Sequence, residues 1–190
     1  MSFTRPEVSE MRLRAVAAIA VVIGTSAQAA REPDQHVTVY LRDNPSVPDS
    51  VKSIAKVLAS EMFASIGVRI DWRSRHPAAS SPHGAVAIEL ATETPGTFLP
   101  GALAYAQPYE GVHIQVFYDR IKYKPAPAEL LAHVMVHEIT HVLQGISRHS
   151  DSGVMKANWS GEDFQQMRYK ALPFAEEDVV LIHRGLARLR

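Results

Sequence analysis

Polar and apolar residues alternate over residues 36–42, with Val37, Val39 and Leu41 on one side, the period of a half-buried strand. The spacing then changes. Val51, Ile54, Leu58, Met62 and Ile66 recur every three or four residues and predict the buried stripe of a helix. Ser46-Val47-Pro48-Asp49 ahead of them resembles a capping box. Residues 68–72, entered through Gly67, read as a second strand, 85–91 as a third, 102–107 as a shorter fourth and 112–119 as a fifth. Leu131, Met135, Ile139 and Val142 place a second long helix over 127–144, stopped by Gly145. A weaker helical stretch lies near 162–170. A last helix starts at Phe174 with Ala175, Val179, Ile182, Leu186 and Leu189 as its stripe. The Pro/Ser/His-rich stretch 75–84 reads as a loop. Strand–helix–strand at the start implies a parallel pair with a right-handed crossover. The pattern predicts an α+β (mixed α/β) domain: a twisted sheet packed on two main helices, plus the C-terminal helix.

The N-terminus carries a different signal. Arg12 and Arg14 precede an apolar run over 15–23, and Ala27-Gln28-Ala29 is a small-x-small cleavage site, so residues 1–29 are expected to be a signal peptide. The run is shorter than the roughly 20 apolar residues of a membrane span, so no stable membrane anchor is expected after cleavage. Residues 30–190 are then a single domain, secreted or periplasmic. The absence of cysteine removes disulfides, thiolate ligands and lipid attachment. Lys+Arg and Asp+Glu balance at 20 each, which argues against a nucleic-acid partner held through phosphates.

Candidate chemistry sits in the second long helix, at His137-Glu138-Ile139-Thr140-His141. Residues four apart lie about 40° apart around a helix axis, so His137 and His141 share one face. Two imidazoles on one face reach one tetrahedral metal at about 2.0–2.1 Å, the distance zinc requires. Glu138 is then placed to take a proton from the water on that metal. A third ligand must come from the polar turn beyond Gly145. His149 is the expected one, with Asp151 and Glu162 as rivals. His133, one turn before His137, lies about 12 Å of helix rise from His141 and cannot share its metal; a role supporting the ligands from behind, a place at the rim or a merely solvated one is expected.

An HExxH helix, a third histidine and a downstream Met155, after a strand, a helix and three or more strands, resembles the zincin metallopeptidases, their metzincin branch above all. Leu103-Ala104-Tyr105-Ala106 and the following 112–119 segment look like the edge strand and its neighbour in matrixins. The resemblance implies a mostly parallel five-stranded sheet whose antiparallel edge strand, through Leu103, Ala104, Tyr105 and Ala106, holds an extended peptide. It also implies one Zn²⁺ per chain and a Met155 floor beneath the metal. Two departures stand out. Metzincins place Gly and His three and six residues after the second ligand, whereas here Gly145 is four and His149 eight after His141. Tyr105 stands where matrixins have a histidine of a structural zinc, implying no second zinc there. The expected function is an exported zinc metallopeptidase acting on peptide or protein substrates, with Glu138 as general base. The alternatives are a non-catalytic exported zinc-binding protein and a hydrolase of non-peptide amides.

Overall fold

A computed structural model describes residues 35–74, 85–106 and 113–188. The expected leader (1–29), the 75–84 loop and Leu189 lie outside the described residues. The elements are β1 (Gln35–Leu41), α1 (Asp49–Ala64), β2 (Val68–Arg73), β3 (Val86–Ala91), β4 (Ala104–Ala106), β5 (His113–Phe117), α2 (Tyr118–Ile121), α3 (Pro127–Gln144), α4 (Gly161–Met167) and α5 (Glu176–Arg188). The strands form one sheet in the order β2-β1-β3-β5-β4. β1 pairs in parallel with β2 and β3, and β3 with β5, while β4 runs antiparallel to β5 at the edge. The expected mostly parallel sheet with an antiparallel edge strand is therefore present.

The core lies between this sheet and α1 and α3, which pack on each other. Val37, Val39, Val86, Ile88, Ile114 and Val116 meet Leu131, Met135 and Ile139 of α3 in one buried cluster. Apolar burial of this kind is the main term favouring the fold, at about 25 cal/mol per Å². Among the described residues no helix is long and apolar enough to cross a membrane.

Three expectations about local structure are corrected. Ser46 does not cap α1: the N-cap is Pro48, with no side-chain hydrogen bond. The start of the helix is instead tied by Lys52, whose ammonium meets Asp43 at 2.5 Å and Asp49 at 2.9 Å. Ala55, Ala59, Met62 and Phe63 face inward, while Ile54 is 46% exposed. Val51, Leu58, Met62 and Ile66 of the expected stripe do pack on the core, and Ala55 and Ala59 join them. The fifth strand ends at Phe117, because Tyr118 starts the helical turn α2 and Asp119 is used to hold the backbone and hydroxyl of Thr94.

α5 starts at Glu176 rather than Phe174, and its buried face is Asp178, Ile182, Gly185 and Leu186. A carboxylate on that face is at odds with the expected apolar stripe. Gly185 presses on the end of α3 so closely that a Cβ there would lie 1.7 Å from the Leu143 carbonyl oxygen. Gly185→Ala is expected to lower stability by about 1–3 kcal/mol or more through overpacking. Urea unfolding checks this; an unchanged midpoint would mean that α5 does not approach α3 at that point.

Candidate metal centre

α3 is entered by Pro127 behind Ala126, whose φ of 53° is left-handed, and it ends at Gly145, left-handed at φ 68°, as the glycine stop predicts. Almost every face of the helix is buried, so His137 and His141 enter the interior rather than water. His149 sits on the connection beyond Gly145. Further along, that connection folds onto the segment before α5. The Val154 N–H donates to the Pro173 carbonyl at 2.9 Å, and the Ser150 N–H donates to the Met155 carbonyl at 2.8 Å. Gly153 makes this possible: its φ is +74°, and a Cβ would stand 2.2 Å from the Pro173 oxygen.

These contacts bring His137, His141 and His149 together, with one ring nitrogen from each within 4.8 Å of the others. Backbone carbonyls assign the tautomers. The Nδ1 of His137 lies 2.9 Å from the Val154 oxygen, and that of His141 lies 3.2 Å from the Ile146 oxygen. A carbonyl only accepts, so each Nδ1 carries the hydrogen and each Nε2 keeps a lone pair. Burial holds both rings neutral, pushing the His137 pKa down to about 4 and lowering that of His141. The two Nε2 atoms nevertheless face each other at 3.0 Å. Two lone pairs that close repel unless a cation lies between them. Three neutral imidazoles are a donor set that suits zinc, whose ligands stand roughly 3.3 Å apart in a tetrahedral site. The residues fit the metal.

Glu138, next to His137 in the chain, is half-buried, and burial pushes its carboxyl pKa up to about 7. Trp159 sets its ring edge-on to His137 at 5.7 Å, and its indole N–H donates to the Val154 carbonyl at 3.3 Å, the oxygen that also orients His137. Met155 is fully buried in the core. The two rival third ligands, Asp151 and Glu162, are exposed and do not join the histidine cluster. Leu103, Ala104 and Ala106 are half-buried and Tyr105 is exposed on β4, which lies against α3.

His133 is not solvated. It is 1% exposed, its Nδ1 donates to the Glu129 carbonyl at 2.7 Å, and its Nε2 accepts the Leu172 N–H at 3.0 Å. It ties α3 to the chain entering α5. The residue that sequence reasoning missed is Asp178. The signal was a lone carboxylate one turn before Ile182 and two turns before Gly185, on the inward face of the last helix.

The chain matches no protein-family model and no curated protein sequence. Solved structures do match. An archaemetzincin from Methanopyrus kandleri superposes with a TM-score of 0.57 at 16% identity, over 84% of this chain and 99% of that one. A zinc-dependent peptidase from Methanocorpusculum labreanum gives 0.53 at 13% identity, over 77% and 99%. At these identities the likeness is one of fold. The chain shares its fold with these two structures, and His137, His141 and His149 converge within that fold.

Burial lowers the His133 pKa below the ordinary 6.5. The stability it contributes is therefore complete above pH 6.5 and lost as pH falls below that value toward its folded pKa. His133→Leu should cost about 1–3 kcal/mol near pH 7.5 by orphaning the Leu172 N–H. It should also flatten the decline in stability between about pH 7 and 5. Urea unfolding of the chelator-treated protein at both pH values checks it, and an equal decline in the variant would refute it.

Proposed function

We propose that this chain is an exported zinc-dependent metallopeptidase. The observation that carries the reading is the pair of Nε2 lone pairs of buried, neutral His137 and His141 facing at 3.0 Å, with the exposed His149 completing the cluster. His137, His141 and His149 would hold one Zn²⁺. When bound, zinc supplies Lewis acidity and lowers the pKa of a coordinated water toward about 7. Among the described residues three side chains rather than four converge, with His149 exposed, the pattern of a catalytic zinc with an open position rather than a structural one.

The chain's own groups do the rest. The Val154 and Ile146 carbonyls keep the two buried imidazoles in the ligating tautomer and orientation. The Glu138 carboxylate accepts the proton of the attacking water and returns it to the leaving amine, a role suited by a site in which burial raises its pKa. An extended peptide would lie along the free side of β4, pairing its main chain with Ala104–Ala106 beside α3. Similarity in fold to an archaemetzincin and a zinc-dependent peptidase supports a peptide or protein as substrate. Export through residues 1–29, to the periplasm or the medium, is part of the same reading, supported by the basic, apolar and small-residue order of that segment.

Glu138→Gln should lower peptide turnover by about 10²–10⁴-fold while leaving about one zinc per chain. Metal analysis beside a peptide-library assay checks both. Turnover at the wild-type level would remove Glu138 from the mechanism. Zinc content near zero in reconstituted wild type would instead leave a non-catalytic protein of zincin-like fold.

A further inference from the structure

His149 is exposed, and its connection to His141 is two residues longer than the metzincin spacing. Burial does not hold this imidazole in place, so its position depends on its neighbours. Both of those neighbours bind one buried carboxylate. Asp178 on α5 is 0% exposed, and the Ser150 hydroxyl donates to its two oxygens at 2.8 Å each. Arg148 donates to the same carboxylate at 3.1 Å and to the Ser150 hydroxyl at 3.2 Å, and it also pairs with Glu177. The Gln144 amide, one turn beyond His141 on α3, donates to Asp178 at 3.3 Å.

We propose that Asp178 is a positioning residue for the third ligand, fixing where His149 stands relative to His141. The proposal rests on reading His137, His141 and His149 as the ligand set. One carboxylate grips both ends of the connection: Gln144 where it leaves α3, and Arg148 and Ser150 on either side of His149. The platform is rigid, because Gly185 seats α5 directly on the Leu143 carbonyl and Ile182 is fully buried. A buried carboxylate is costly, and an apolar residue in its place would pack without that cost. What the carboxylate adds is direction. Its two oxygens accept from three side chains and hold a loop that has no regular secondary structure from Gly145 to Ser160.

The test is zinc affinity, by competition with a chromophoric chelator, and the visible spectrum of the cobalt(II)-loaded protein. It compares wild type, Asp178→Asn, Ser150→Thr and the pair Arg148→Met with Ser150→Ala, each with and without His149→Ala. The paired variant leaves the buried carboxylate in place, and its fold is checked by circular dichroism. Zinc binding is expected to weaken about 10- to 100-fold in Asp178→Asn and in the pair, the range for groups that orient metal ligands. The cobalt spectrum should shift toward that of His149→Ala, and Ser150→Thr, which keeps the hydroxyl, should bind like wild type. With His149 already removed, the same substitutions should change affinity by less than about twofold, because a group acting through His149 has nothing left to position. Wild-type affinity in both Asp178→Asn and the pair would overturn the proposal, as would an undiminished loss in the His149→Ala background. Failure of the wild type itself to bind zinc would overturn the ligand set, and the positioning role with it.

Discussion

A helix can carry two imidazoles and a carboxylate into a protein interior only if the rest of its surface is closed by packing. α3 meets that condition: the sheet and α1 cover it on one side, α5 on the other, and Leu131, Met135 and Ile139 are wholly buried. The same enclosure sets the chemistry. Removing water from His137 and His141 holds them neutral, the form in which imidazole offers a lone pair, and it raises the Glu138 pKa toward that of a proton carrier. Had α3 been a surface helix, the same residues would titrate near their ordinary values and each Nε2 would be hydrated.

Enclosure leaves the ring orientations to be fixed, and the backbone does that. The Val154 carbonyl serves both His137 and Trp159, so the turn around Gly153 orients the imidazole and the indole beside it together. That turn rests in its turn on Pro173, just before α5, and His133 reaches the same segment through Leu172. The C-terminal third of the chain is therefore no appendage. The segment before α5 and α5 itself hold the loop that carries His149, through the Pro173 carbonyl and the Asp178 carboxylate.

Much of this was legible in the residue pattern, because periodicity reports which face of an element is buried. Alternation at Val37, Val39 and Leu41 marked β1, and Gly145 marked the end of α3. HExxH spacing placed His137 and His141 on one helical face, since helix geometry alone fixes a four-residue relationship. Contacts between distant segments were not legible. Of the stripe expected for α1 only Ile54 faces outward, and what the pattern did not show is that Ala55, Ala59 and Phe63 share the buried face and that Lys52 pairs with Asp43 across a loop.

The sequence by itself determined the main elements other than α2, their order, the helical pair of histidines and Glu138 next to the first of them, all consequences of spacing within one element. Only the tertiary structure decided that His149 joins them and that Asp151 and Glu162 do not, since a loop ligand is placed by partners far away in the chain. It also decided that His133 is a buried strut and that Asp178 belongs at the centre. A hydrogen bond between side chains 28 residues apart has no period to betray it; it exists because α5 packs on α3 and closes the distance.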